Sequence, residues 1–159
     1  MPGGYSIDLA LDLVLERSVD VSPENLWRAW TEPELLMQWF TPAPWETIAC
    51  EIDLRPGGIF STTMRSPEGE ILPAEPGCFL EVVANRKLVY TDALGPGFRP
   101  KGSAFFTAAI LLEPENAGTR YTAIAKHPDE QRKSSHEKMG FHEGWGKALD
   151  QLVALACQL

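Results

Sequence analysis

The sequence has few cysteines and few histidines, with three of each among its 159 residues. Cys50, Cys78 and Cys157 include no Cys-x-x-Cys pair, and an odd number of cysteines does not suit a disulfide framework. The first residues lack a basic segment followed by an apolar one, so no signal peptide is expected. These absences predict reduced thiols and a cytoplasmic location.

Long apolar runs and an excess of positive charge are also missing. No stretch reaches the eighteen or so apolar residues that a transmembrane helix needs. The formal net charge is −8, which disfavours binding to nucleic acid or to anionic membranes. Hydrophobic residues nevertheless make up 44% of the chain, so we expect a packed core. The length predicts a single domain over residues 1–159.

Motifs for several kinds of chemistry are absent. There is no Gly-x-Ser-x-Gly nucleophile elbow, no Gly-x-Gly-x-x-Gly and no phosphate-binding loop. The segment HEKMGFHEGW (136–145) begins like a zinc-protease helix, but His136 and His142 are six residues apart. On one helix that spacing separates them by about 120°, so they cannot share an ion. We expect no metal and no cofactor.

The first forty residues predict a strand followed by two short helices. Apolar residues alternate with mostly polar ones from Ile7 to Glu16, which is typical of a strand with one buried face. Ser22-Pro-Glu24 has the residues of a helix start, and that helix should run through Trp30. Thr31-Glu-Pro-Glu34 has the pattern of a capping box, which predicts a second helix reaching Phe40.

The middle of the chain predicts successive β-hairpins, and therefore an antiparallel sheet. Turn residues such as Arg55-Pro-Gly-Gly58 and Ala84-Asn-Arg86 separate the alternating segments. The predicted strands are 48–54, 60–64, 77–83, 87–91, 104–112 and 119–126, with the last turn at Pro114–Gly118.

The C-terminal segment changes to helical periodicity, with Phe141, Trp145, Leu149 and Leu152 on one face. The charged segment 129–133 either starts this helix or forms a separate turn before it. An apolar helix face must be covered, and the inner face of the sheet is the large apolar surface available. The predicted fold class is therefore α+β, a curved antiparallel sheet of about six to seven strands wrapped on a long C-terminal helix. In that arrangement Phe141 and Trp145 face the sheet, and His136 faces solvent, a cap or a partner subunit, which leaves a homodimer open. If the helix begins only near Met139, the direction of His136 stays open.

Five blocks, in order, resemble the activator of Hsp90 ATPase homologue-like family. They are Val21–Phe40, Asp53–Gly58, Leu88–Thr91, Gly118–Thr122 and Gly144–Leu152. The family belongs to the START-like or Bet v 1-like superfamily, also described as polyketide cyclase or SRPBCC. The resemblance implies a helix-grip fold with a cavity between the sheet and the long helix, which holds lipids, sterols, hormones or polyketides in various members.

Strand alternation predicts which strand residues would line such a cavity, and the C-terminal helix and the two short helices would add aromatic side chains. The set is mostly apolar with a few polar groups, as is usual for a small-molecule pocket. The expected ligand-binding residues are Trp39, Phe40, Phe60, Thr62, Met64, Phe79, Glu81, Tyr90, Phe106, Ala108, Phe141 and Trp145.

Three hypotheses for function remain open. The first is a binding domain for a small hydrophobic or amphipathic molecule. The second is a module that interacts with a chaperone of the Hsp90 type and stimulates its ATPase, as the family resemblance implies. The third is a cyclase-like or hydrolase-like enzyme that uses Glu81, whose carboxyl would have a raised pKa in an apolar pocket. The alternative for Glu81 is an ion pair or a position at the cavity mouth.

Overall fold

A computed structural model describes residues 4–159 of the chain. Its main feature is a curved antiparallel sheet. The ten strands are β1 (Asp12–Val19), β2 (Glu46–Ile52), β3 (Ile59–Arg65), β4 (Ile71–Leu72), β5 (Gly77–Val83), β6 (Lys87–Thr91), β7 (Leu94–Gly95), β8 (Arg99–Pro100), β9 (Thr107–Glu115) and β10 (Gly118–Lys126). Seven of them form the sheet in the order β1-β10-β9-β6-β5-β3-β2, β4 pairs with β3, and β7 pairs with β8 in a separate small hairpin.

Four α-helices accompany the sheet: α1 (Pro23–Thr31), α2 (Pro33–Leu36), α3 (Glu130–Lys138) and α4 (Phe141–Ala156). The two edge strands of the sheet, β1 and β2, are connected through α1 and α2. These helices and α4 cover the inner face, where the larger core cluster lies. This confirms the predicted α+β helix-grip architecture.

The start of β1 was placed too early. Residues 9–11 form a turn, and the strand begins at Asp12. The Asp8 carbonyl accepts a hydrogen bond from the amide of Leu11, and its carboxylate accepts one from the amide of Ala10. An Asp side chain that bonds its own backbone two residues on favours a turn over an extended strand. Leu9 is therefore exposed, and Ile7 packs on the outer face of the sheet.

Helix α1 begins as predicted, with the Ser22 hydroxyl accepting a hydrogen bond from the amide of Asn25. The predicted capping box is wrong, because α1 continues through Thr31. The Thr31 hydroxyl donates to the carbonyl of Trp27 inside α1, and the N-cap of the next helix is Glu32, which makes no side-chain capping bond. Helix α2 is consequently a single turn that ends at Leu36, and Trp39 and Phe40 lie in the turn that follows it.

The later hairpins are close to the predicted bounds, apart from the last one. The segment before β9 is a loop, because the amide of Phe105 bonds the carboxylate of Asp92 rather than a neighbouring strand. Strand β9 then extends to Glu115, and the turn is a tight one at Asn116 and Ala117, with Asn116 at φ 55°. The predicted turn over Pro114–Gly118 was too wide.

The C-terminal helix is interrupted at Gly140, which adopts φ 95°. Such a conformation is left-handed and is readily accessible only to glycine. It ends the α-helical path after α3 and lets α4 begin at Phe141 in a new direction. The charged segment therefore belongs to a separate nine-residue helix, whereas the sequence predicted either the start of the long helix or a separate turn.

Candidate ligand cavity

A cavity of about 690 Å³ lies between the inner face of the sheet and α4. Its walls come from β3, β6 and β10, from the turn after α2, and from the α3–α4 junction. Leu72 and Met139 line the cavity and are also exposed, so they mark where it opens to solvent. The volume is within the range of natural small-molecule sites.

Nine of the twelve predicted binding residues line this cavity. They are Trp39, Phe40, Phe60, Thr62, Met64, Tyr90, Phe106, Phe141 and Trp145. Strand alternation located Phe60, Thr62, Met64 and Tyr90, and helical periodicity located Phe141 and Trp145, because the strands and the helix are regular at these positions.

Phe79 and Ala108 were expected in the cavity wall but lie behind it. Both are fully buried members of the main core cluster. The ring of Phe79 stacks on that of Phe60 at 5.2 Å, and Phe60 lies between it and the cavity. They face the predicted side of the sheet, but other side chains cover them.

The prediction that Glu81 faces inward is wrong. The register of β5 against β6 shifts between Phe79 and Glu81, so that Phe79 lies opposite Tyr90 but Glu81 lies opposite Val89. Val89 belongs to the small cluster on the outer face. A β-bulge adds one residue to one strand and reverses the alternation beyond it. The carboxylate of Glu81 accordingly pairs with Lys87 at 3.2 Å and is about half exposed.

An aromatic cluster forms one end of the cavity. The Trp30 ring lies 4.9 Å from Trp39 and 5.9 Å from Tyr90, and its indole N–H donates to the hydroxyl of Tyr121 at 3.1 Å. Burial raises the pKa of both tyrosines, so their hydroxyl groups stay protonated at neutral pH. The Tyr90 hydroxyl has no hydrogen-bond partner within residues 4–159, which leaves it available to a molecule in the cavity.

A pair of histidines forms the other end, and the sequence did not predict it. His136 lines the cavity and is only 6% exposed, whereas the single long helix assumed from the sequence placed it toward solvent. The break at Gly140 separates α3 from α4, so the helical angle between His136 and Trp145 no longer applies. Its Nδ1 lies 2.9 Å from Nε2 of His127. The glycine inside an otherwise helical segment was the available signal.

No group of three or more His, Cys, Asp or Glu side chains within residues 4–159 is placed to hold an ion. His142 is exposed on α4 and does not join the histidine pair. Nor does any helix in that range combine the length and apolar character needed to cross a bilayer.

Comparison with known proteins adds the family context. The family model described as "Activator of Hsp90 ATPase homolog 1-like protein" matches residues 20–156. A crystal structure from Nitrosomonas europaea is similar, with 48% identity, a TM-score of 0.92, and coverage of 96% of this chain and 97% of that one. No curated protein matches the chain.

Two more distant structures share the fold. One, from Rhodobacter sphaeroides, is 20% identical with a TM-score of 0.81 over 97% of both chains. The other is a solution structure named as an AHSA1-like protein from Aeromonas hydrophila. It is 19% identical with a TM-score of 0.65 over 91% of both chains.

Proposed function

Since the chain belongs to the activator of Hsp90 ATPase homolog 1-like family, with a large cavity at the centre of its fold, we propose that it binds a small, uncharged, hydrophobic or amphipathic molecule. The observation that carries this proposal is the unfilled space between the sheet and α4. A plain core would close that space with side chains, because protein interiors are normally packed as densely as organic crystals.

The lining favours a flat apolar ligand. Aromatic rings from α1, the turn after α2, β3, β6 and α4 surround the space, and their faces and edges offer large contact areas. Burial of apolar ligand surface would supply the affinity, at roughly 25 cal/mol per Å².

The charges of the lining argue against an anionic ligand. Glu75 and Asp92 line the cavity, and no lysine or arginine does. A carboxylate or sulfonate would lose its hydration without gaining a counter-ion, and the two acidic groups would repel it. Fatty acids and other anions are therefore poor ligands on this proposal.

Polar groups inside the cavity would orient the molecule. The Tyr90 hydroxyl has no protein partner among the described residues and can donate or accept a hydrogen bond. Thr62 adds a second hydroxyl to the wall formed by β3. A ligand with a single polar group on an apolar body fits this pattern. The three unpaired cysteines are compatible with the cytoplasmic location predicted from the sequence.

A matched pair of fluorescent probes tests the proposal. N-phenyl-1-naphthylamine is neutral, and 8-anilino-1-naphthalenesulfonate carries the same rings with an added sulfonate. We expect the neutral probe to bind in a saturable way, and the sulfonate to bind at least about tenfold more weakly. Absence of saturable binding by the neutral probe, together with no co-purified small molecule in native mass spectrometry, would contradict the proposal.

A variant that fills the cavity locates the binding. Gly144 lines the cavity on α4, and a Cβ added there meets no atom within 4 Å. Gly144→Leu should therefore fill part of the cavity and strongly reduce the affinity for the neutral probe. Ala154→Leu adds a comparable side chain at an exposed position of the same helix and serves as the control. Equal loss of affinity in both variants would show that the probe binds elsewhere.

A further inference from the structure

The histidine pair forms a short chain of hydrogen bonds that ends at the cavity. His127 follows β10, and its Nδ1 lies 2.7 Å from the carbonyl oxygen of Leu11. Its Nε2 lies 2.9 Å from Nδ1 of His136, which is in α3. Each histidine is 6% exposed. The chain therefore runs from a backbone carbonyl, through two buried rings, to the Nε2 of His136.

The backbone carbonyl determines which ring nitrogens of the two histidines carry a hydrogen. A carbonyl oxygen can only accept, so Nδ1 of His127 must carry a hydrogen. In a neutral His127, Nε2 then has a lone pair and accepts from Nδ1–H of His136. A neutral His136 that carries its hydrogen on Nδ1 has a bare Nε2. The backbone carbonyl thus acts through two successive hydrogen bonds, and it leaves Nε2 of His136 as a hydrogen-bond acceptor.

The surroundings favour the neutral form of His136. The rings of Phe105, Phe106 and Phe141 lie 4.7 to 5.2 Å from that of His136. Within the described part of the chain, no carboxylate is hydrogen-bonded to either histidine. Burial, and then the neighbouring His127, lower the pKa of His136 to about 4.

The bare nitrogen is reachable from the cavity. No side-chain nitrogen or oxygen of residues 4–159 is both sealed from solvent and without a partner. Nε2 of His136 has no partner in that range, so it is not sealed, and His136 is a lining residue of the cavity. A ligand can form a hydrogen bond with this nitrogen only if the ligand carries a hydrogen-bond donor.

We infer that the cavity is selective for ligands that carry a hydroxyl or N–H group, which donates to Nε2 of His136. The inference rests on the proposed binding function and narrows its ligand class. Phe106 lies between this nitrogen and the Tyr90 ring, at 5.1 Å from the His136 ring and 6.5 Å from the Tyr90 ring. An aromatic alcohol or phenol that packs on Phe106 would place its donor at the histidine end.

Three probes of one shape test this selectivity. 4-Phenylphenol carries a donor, 4-methylbiphenyl has a methyl group in its place, and biphenyl-4-carbaldehyde carries only an acceptor. Their affinities follow from displacement of N-phenyl-1-naphthylamine. We expect 4-phenylphenol to bind roughly fivefold more tightly than either of the others, the size of one hydrogen bond.

Variants assign the preference to the histidine pair. His136→Phe keeps a ring among the neighbouring aromatic side chains, and should bind the three probes with nearly equal affinity. In His127→Phe, His136 is free to carry its hydrogen on Nε2 instead of Nδ1. The preference for the phenol should therefore fall, and the affinity for the aldehyde should rise. His142→Gln, at an exposed site of α4, should behave like the unchanged protein.

The possible results distinguish a failure of this inference from a failure of the proposed binding function. If all three probes bind equally to the unchanged protein, or if the aldehyde binds best, the inference is wrong while the binding function stands. If none of them displaces bound N-phenyl-1-naphthylamine, the inference is wrong while the binding function stands on that probe. If N-phenyl-1-naphthylamine itself does not bind and no small molecule co-purifies, the binding function fails and the inference fails with it. A nitrogen NMR spectrum that shows Nε2 of His136 protonated at neutral pH would also overturn the inference, whatever the probes do. A phenol preference that persists in His136→Phe would do the same.

Discussion

The indole N–H of Trp30 donates a hydrogen bond to the hydroxyl of Tyr121 at 3.1 Å, which joins α1 to β10 at the aromatic end of the cavity. Both side chains are almost completely buried. The bond therefore holds the first helix at a defined position over the sheet, and it determines part of the cavity wall.

Removal of that acceptor should destabilise the protein. Tyr121→Phe leaves the Trp30 N–H buried without a partner, which costs about 1 to 3 kcal/mol in the free energy of unfolding. Urea unfolding followed by tryptophan fluorescence measures the loss. Tyr90→Phe is the matched control, because its hydroxyl has no protein partner in residues 4–159, and it should change stability by less than about 0.5 kcal/mol. Equal effects of the two substitutions would contradict this account.

The buried His136 should make the protein less stable as the pH falls. Its pKa is about 4 in the folded chain, against an ordinary value of 6.5. Between these values the unfolded chain binds a proton that the folded one does not, so stability is full above pH 6.5 and declines below it. The contribution of this one group has a limiting slope of about 1.4 kcal/mol per pH unit.

Variants isolate that contribution from the other titrating groups. Urea unfolding between pH 4 and 7 should show a flatter decline for His136→Phe than for the unchanged protein. His142→Gln should keep the original slope, because His142 is exposed. A parallel decline in all three proteins would show that His136 gains its proton as easily in the folded state as in the unfolded one.

The two glycines around the start of α4 should respond to alanine in opposite directions. Gly144 lies inside the helix with open space beside it, so Gly144→Ala should stabilise the protein by about 0.5 to 1 kcal/mol. Gly140 adopts φ 95°, where a Cβ is strained, so Gly140→Ala should destabilise it by about 1 kcal/mol or more. Thermal unfolding measures both. Stabilisation by Gly140→Ala would mean that α3 and α4 can join as one helix.

Glu81→Gln should have little effect on either stability or binding. The carboxylate is about half exposed and pairs with Lys87 on the outer face, and such pairs contribute at most about 1 kcal/mol. We expect the affinity for N-phenyl-1-naphthylamine to stay unchanged. Trp39→Ala, which removes a cavity-lining ring, provides the contrast. A clear loss of probe binding in Glu81→Gln would place this residue in the site after all.

Local sequence patterns were sufficient to predict much of the fold. The β5–β6 hairpin has the predicted bounds because alternating residues flank a short turn with Asn85 at φ 62°. Ser22 and Pro23 begin α1 as predicted because capping needs only a few neighbouring atoms. Nine cavity residues were predicted from strand alternation, from the apolar face of the last helix and from the short helices near the N-terminus, which are all local patterns.

The failures occur where a contact distant in sequence overrides the local pattern. Glu81 faces outward because β5 gains one residue against β6, and a bulge leaves no mark in the alternation of one strand. His136 faces inward because Gly140 redirects the chain and His127, from the end of β10, provides a partner.

The sequence by itself determined the order of the main elements and most of the apolar cavity wall, because hydrophobic periodicity and capping are local properties, and the family through the resemblance of five blocks. The sequence predicted the hydroxyl groups of Thr62 and Tyr90 in that wall, but tertiary structure decided which ionisable side chains reach it. It turned Glu81 out of the cavity and brought His136 into it, next to His127 and the carbonyl of Leu11. A hydrogen-bond chain of this kind joins three segments of the chain, and its atoms meet only when the sheet has curved and α3 has packed against it.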